Sequence, residues 1–226
     1  MGKKIYSVVV GEIQTNCWLY PLEDGPGEKL PCVVIDPGDE AGLIIKRLKE
    51  LNWVPRYIFL THGHFDHLMA LPDLVEAFGK GVFDQSPLPK TGIHRLDSHY
   101  MGKGAFTFHR DSFSAAGGNP AFLKGLWKPL PGADILFEEG QSIETFKVLH
   151  IPGHSQGSVA FYDEKAGLLF SGDTLFKGDW GRTDLPGGSE EQIQQSLKRL
   201  LLLEERTVVY PGHGPLTTIK EERQSR

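Results

Sequence analysis

The chain has 226 residues, 29 acidic against 24 basic and 39% hydrophobic, with a net charge of −5. That is enough chain for one sizeable core or two small ones. Its charge balance lacks the basic face that nucleic acid demands, and no apolar run approaches a membrane span. Neither nucleic acid nor membrane is therefore expected as a partner.

Two cysteines, Cys17 and Cys32, are too few for a disulfide scaffold and lack CxxC spacing. They read as buried or half-buried thiols in a reducing compartment, and the cytoplasm is the expected location. The opening KIYSVVV has the alternation of a first strand rather than the apolar core of a signal peptide. CWLY is a second strand, LEDGPGEKLP a turn cluster, and CVVID a third strand ending in PGD. AGLIIKRLKEL has helical spacing, with Leu43, Ile44, Leu48 and Leu51 expected along its buried face. YIFL is the next strand and runs straight into THGHFDH. FDHLMALPDLVEAFG then reads as helical, bent or split at Pro72.

Residues 84 to about 130, rich in Gly, Pro, Ser and aromatics, are expected to be an irregular insertion or a pocket wall. Strands return in TFKVLHI, SVAFYD and LLFSGD. A helix starts at Ser189 with a capping-box spacing to Gln192, and TVVY is a last short strand. No fixed-period repeat is present, but a looser echo is. VVIDPGD and IFLTHGH in the first half resemble LLFSGDT and VVYPGHG in the second. Interleaved strands and helices of this kind predict one α/β domain, two sheets packed between helical layers. Nothing in the sequence specifies an oligomeric state.

THGHFDH places three histidines and an aspartate directly after a buried strand. His62 and His64, two apart, project to the same side of an extended strand end. Asp66 and His67 are adjacent and diverge unless the backbone turns. Four ligands of one ion hardly fit this segment, whereas two pairs serving two neighbouring ions do. The competing reading is a solvated polar loop. Three further ligand-type residues favour metal: His154 in IPGHSQGS, Asp173 in FSGDTLF and His213 in YPGHGP, each at a strand end beside glycine.

With these seven residues the chain resembles the metallo-β-lactamase fold superfamily, from CVVIDPG through YPGHGP. The resemblance implies a four-layer αββα sandwich of two mixed sheets, with metals at one edge. It further implies that His62, His64 and His154 hold one ion. Asp66, His67 and His213 then hold a second and Asp173 bridges, with Asp66 also carried as a catalytic residue. Two divalent ions are implied, zinc by preference, with iron or manganese compatible with the same ligands. A bridging hydroxide is the nucleophile expected of such a pair.

Within the superfamily, GDTLFKGDWGRTDLPGG resembles the glyoxalase II branch, which hydrolyses glutathione thioesters such as S-lactoylglutathione. A small-molecule thioester is thus the implied substrate. Full-length members add a C-terminal helical domain with cations for the glutathione carboxylates. Past YPGHG this chain continues only as PLTTIKEERQSR, so the short form is implied. Arg182 in GRTDL is the substrate-binding candidate, able to grip a carboxylate bidentately, with an ion pair to Asp184 or Asp179 as the competing reading. Persulfide dioxygenases share the fold with one iron and are the alternative activity. A lactonase or other ester hydrolase is a further one, and a non-catalytic binding protein the third class. Asp36 is expected to fix a turn or support a ligand. His94, His99 and His109, with Tyr100, Phe106, Phe108 and Trp127, are expected in the wall and are not assigned to metal.

Overall fold

Strand alternation decides which side chains meet which layer. In the strand Val159–Asp163 all five residues are buried: Val159 and Phe161 face the opposite sheet, while Ala160 and Tyr162 face a helix. Such a strand is covered on both faces, and that requirement builds four layers. The computed structural model describes residues 3–23, 29–84 and 86–225. The turn cluster expected at 22–31 lies partly outside them.

The first sheet holds β1 (Tyr6–Val10), β2 (Thr15–Pro21), β3 (Leu30–Ile35), β4 (Trp53–Phe59), β5 (Lys90–His94) and β6 (Ile135–Phe137), side by side in chain order. β1 to β3 pair antiparallel, and β3 to β6 pair parallel. The second sheet holds β7 (Ser142–Ile143), β8 (Phe146–His150), β9 (Val159–Asp163), β10 (Leu168–Gly172), β11 (Val208–Pro211) and β12 (Thr217–Thr218). There only β10 and β11 are parallel. The repeated sequence echo is thus a repeated structure: each sheet carries a parallel pair, β3–β4 and β10–β11, whose C-terminal ends bear the Gly–Asp and Gly–His turns.

Helices α1 (Ala41–Leu51) and α2 (Leu71–Gly79) cover the first sheet; α5 (Glu190–Leu200) and α6 (Ile219–Ser225) cover the second. Between the sheets lies an aromatic core in which Phe59 meets Phe161 at 5.2 Å between centroids and Phe137 at 5.1 Å. The fold is therefore the αββα sandwich of two mixed sheets.

Three details differ from the sequence reading. Leu43 is 45% exposed, because the buried stripe of α1 runs through Ala41, Ile44 and Leu48, and Leu43 lies about 100° off it. β4 begins at Trp53, not Tyr57: Pro55 sits at a register shift against β3 and beyond the reach of β5, where its missing N–H costs nothing. α5 stops at Leu200, leaving Leu202 82% exposed. Its start is as expected, with the Ser189 hydroxyl accepting from Gln192 N at 3.3 Å.

Pro72 separates a 3-10 turn, Phe65–His67, from α2, where it occupies the first turn. Residues 84–130 contribute β5, a 3-10 segment Arg95–Tyr100, and helices α3 (Ala105–Ala115) and α4 (Pro120–Leu126). Among the described residues no helix is long and apolar enough to cross a membrane.

Candidate metal centre

The seven ligand-type residues meet at one edge of the sandwich, above the C-terminal ends of β4, β10 and β11. His62, His64 and His154 form one close group, and Asp66, His67 and His213 another; Asp173 closes with His62 and His67. Asp173 stands between the groups: its carboxylate lies 3.3 Å from His67 Nε2, 3.4 Å from His213 Nε2 and 3.7 Å from His154 Nε2. His213 Nε2 is 3.3 Å from Asp66 and 3.3 Å from His67 Nε2. Ligands of a tetrahedral ion at 2.0–2.1 Å sit about 3.3 Å from each other, so these spacings suit a shared cation. His62 Nε2 and Asp173 Oδ1 are buried without a hydrogen-bond partner, as atoms reserved for an ion would be.

The sequence achieves this by ending strands in turns that tolerate crowding. Gly172 has φ +50° and Gly212 lies against the centre. A Cβ on Gly212 would fall 2.1 Å from Asp173 Oδ1 and 2.7 Å from His67 Cε1. β2 braces the same turn: Trp18 Nε1 donates to Pro211 O at 3.0 Å, and Asn16 Nδ2 donates to Gly214 O at 2.9 Å.

A second set of residues orients these ligand-type side chains. Asp36, buried and held in the left-handed region at φ 54°, accepts from Thr61 N at 2.8 Å and Thr61 Oγ1 at 2.7 Å. That backbone conformation costs an aspartate roughly 1–2 kcal/mol. Asp36 Oδ2 also lies 3.0 Å from His67 Nδ1. Because the Thr61 hydroxyl spends its proton on Asp36, its oxygen can accept only from His62 Nδ1, 3.1 Å away. Asp36 thus leaves Nε2 of His62 free for a cation, and its charge beside His67 Nδ1 favours a proton there, so that Nε2 is the atom His67 would offer. Backbone carbonyls do the same elsewhere: Arg182 O accepts from His154 Nδ1 at 2.8 Å, and Ile13 O from His213 Nδ1 at 3.1 Å.

Asp97 was invisible in the sequence. It is buried and accepts from Gly63 N at 2.9 Å, Gly157 N at 2.7 Å and Ser155 Oγ at 2.7 Å. It therefore ties the His62–His64 turn to the His154 loop. Burial raises its pKa against those three hydrogen bonds.

The charge state is divided. Burial, reinforced by neighbouring imidazoles, holds His62 well below its ordinary pKa and His64 at about 3, so both are neutral with lone pairs available. Burial also opposes charge on His67 and His213, but carboxylates win. Asp173, Asp66 and Asp36 raise His67, while hydrogen bonds to Asp173 and Asp66 raise His213 to about 10. Against the cost of burial, His67 and His213 in turn hold Asp66 and Asp173 below the carboxylate range. Positive charge on the two imidazoles balances the carboxylates, the task a metal ion would take over.

Arg182 is half exposed and forks onto Asp184 at 2.6 and 2.7 Å. Its clear contribution to the centre is through its carbonyl. The aromatics expected in the wall reach the centre through Tyr100, packed at 5.9 Å on His64. His109 is fully buried between Tyr100 and Trp127, at 5.2 Å from each. His94 stacks on His150 at 4.2 Å, and His99 meets Phe108 edge-on at 4.5 Å. None of these three histidines joins a ligand group among the described residues.

Two facing mixed sheets with a His/Asp centre at the ends of their parallel pairs define a metallo-hydrolase-type sandwich. The chain belongs to the metallo-beta-lactamase superfamily, matching it over residues 10–213. It is 35% identical over 219 residues to the probable metallo-hydrolase YqgX of Bacillus subtilis, covering 95% of this chain and 92% of that one. It is 34% identical over 219 residues to the hydroxyacylglutathione hydrolase GloC of Haemophilus influenzae, covering 96% and 94%. The di-iron-bound form of TTHA1623 superimposes with a TM-score of 0.77 at 37% identity, covering 98% of both chains.

Proposed function

We propose that this protein is a hydrolase of small-molecule thioesters that works with two divalent metal ions, with acyl-glutathiones such as S-lactoylglutathione as the reference substrates. The observation that carries the reading is Asp173, a buried carboxylate lying between two ligand groups, three imidazoles on one side and two imidazoles with a carboxylate on the other. When bound, two such ions would supply a water-derived nucleophile near neutral pH and positive charge opposite a developing oxyanion. Zinc is the proposed metal, and the di-iron form of TTHA1623 shows that iron enters a related chain.

The chain's own part is orientation. His62, His64 and His154 would hold one ion, and Asp66, His67 and His213 the other, with His62 and His67 oriented from behind through Asp36, His154 by Arg182 O and His213 by Ile13 O. Asp66 remains ionised and lines the open cleft beside the centre, which suits a carboxylate that orients the attacking water. Attack on the thioester carbonyl breaks the C–S bond and yields a carboxylate and a thiolate. A thiol of pKa near 8.5 leaves without a strong general acid. Arg182 would meet a substrate carboxylate by exchanging Asp184 for it. The fully buried, unpaired Cys17 and Cys32 fit a reducing cytoplasm, where we place the enzyme.

The test is turnover of S-lactoylglutathione and simpler thioesters by zinc-loaded and iron-loaded protein, followed by thiol release. Thiol release that scales with bound metal supports the reading. Oxygen uptake with glutathione persulfide, and no thiol release, would replace it with a dioxygenase.

A further inference from the structure

Beside the centre, on the side of Asp66, lies an open cleft of about 500 Å³. Its walls come from four distant parts of the chain: the β1–β2 turn, Gly38 with Asp39, the segment from Phe65 to Asp73, and α3 with α4 and the following Lys128. Ile13, Phe122 and Leu126 project into it although each is more than half exposed, at 53%, 57% and 56%. Phe113 adds a ring, packed edge-on against Phe65 at 5.1 Å. Large apolar side chains gathered in solvent around one concavity are costly unless something apolar occupies it.

The charges point the same way. Among the described lining residues Lys128 is the sole cation, and both carboxylate oxygens of Asp73 hold it, at 2.6 and 2.7 Å. Glu12 and Asp39 stand on the rim as exposed acids. No cation is left over for a carboxylate inside the cleft, and the rim repels one. The cleft reaches the centre directly, since Asp66 lines it and Ile13, also in its wall, gives its carbonyl to His213.

We infer that this cleft receives the acyl group of the substrate, and that it selects an uncharged apolar acyl chain or aryl ring over a short polar or carboxylated one. The inference rests on the hydrolase reading and names the acyl class for it. Each methylene taken out of water is worth a factor of about four. An open cleft captures only part of that, so four extra methylenes are expected to gain at least about tenfold.

The experiment compares kcat/KM for acetyl, lactoyl, hexanoyl and glutaryl thioesters of one uncharged thiol, N-acetylcysteamine, on metal-loaded protein. Hexanoyl is expected to exceed acetyl about tenfold or more. Glutaryl, of similar length but with a carboxylate, is expected to fall about tenfold below hexanoyl. In the double variant Phe122→Ser, Leu126→Ser, at two sites more than half exposed, the hexanoyl-to-acetyl ratio should shrink at least threefold. Ratios within twofold of one in the parent protein, or a variant with an unchanged ratio, overturn the inference.

If no thioester is cleaved, the hydrolase reading fails, and the cleft is judged by binding alone. Calorimetric titration then uses the S-hexyl and S-ethyl thioethers of N-acetylcysteamine. Tighter binding of the hexyl compound that is lost in the double variant supports the apolar cleft, and equal affinity overturns it.

Discussion

Asp36→Asn is the most informative single substitution, because it keeps size and shape while it turns one carboxylate oxygen into an NH2 group and removes one negative charge beside the centre. In the native protein the Asp36 carboxylate accepts from Thr61 Oγ1 at 2.7 Å and faces His67 Nδ1 at 3.0 Å. An asparagine that still accepts from Thr61 N would aim its NH2 at both groups. Thr61 would then accept from asparagine and turn its own proton toward His62 Nδ1, 3.1 Å away. His62 would have to carry its proton on Nε2, the atom now free for metal, and His67 would face a donor where it had an acceptor. One ligand in each group is thus put in the wrong tautomer. Loss of such a supporting contact costs about 10–100-fold in metal affinity, or 1.4–2.7 kcal/mol. The two effects share one residue and do not simply add. Competition with a chromophoric chelator measures the affinity, and 15N chemical shifts of the imidazoles report the tautomers. Affinity within twofold of the parent, with unchanged tautomers, would refute the reasoning.

Three further outcomes are expected. Asp97→Ala orphans the buried Gly63 N and Gly157 N, at about 1–3 kcal/mol for each group left unpaired, while the Ser155 hydroxyl keeps Ser158 Oγ at 2.8 Å. Thermal unfolding should show Tm dropping by several degrees, and no drop would mean that water replaces the carboxylate. His109 donates from Nε2 to Tyr100 O at 2.8 Å while its buried Nδ1 lacks a partner, and burial lowers its pKa to about 4. The unfolded chain, with histidine near 6.5, therefore binds more protons between pH 6.5 and 4. Native stability is full above that window and falls as pH drops through it, by up to about 1.4 kcal/mol per unit. Urea titrations should show a pH 7.5 to 5 loss that is smaller in His109→Gln, and equal losses would refute this. Metal binding at pH 7.5 should displace protons from His67 and His213, both held above their ordinary pKa. Affinity then weakens as pH falls, and binding enthalpy tracks the ionisation enthalpy of the buffer. A buffer-independent enthalpy would contradict that charge assignment.

The glycine turns that bring the His and Asp side chains together, and the layer order, were legible because they are encoded locally. HGHFDH, PGHS, SGDT and PGHG each combine a strand end, a glycine and a ligand-type side chain within a few residues. What stayed hidden depends on contacts across the fold. Asp97 serves backbone and side-chain groups 34 to 60 positions away, and nothing in HRLDSHY marks it. The apolar cleft is assembled from residues 10–15, 38–39, 65–73 and 113–128 and has no signature in any one of them. Leu43 shows the limit of counting apolar residues in a helix, because two adjacent leucine-type positions cannot share one stripe. Pro55 hid the first half of β4, since only the register shift against β3 makes a proline acceptable there. Spacing alone did not say which of Asp184 and Asp179 Arg182 would meet, and the fold places its guanidinium on Asp184.

The central claim, two metal ions shared across Asp173 for thioester cleavage, is tested most directly by titrating metal-stripped protein with zinc while following thiol release. The account predicts activity that rises until two ions are bound per chain, with elemental analysis agreeing. Full activity with one ion, or one iron with oxygen consumption and no thioester cleavage, would contradict it.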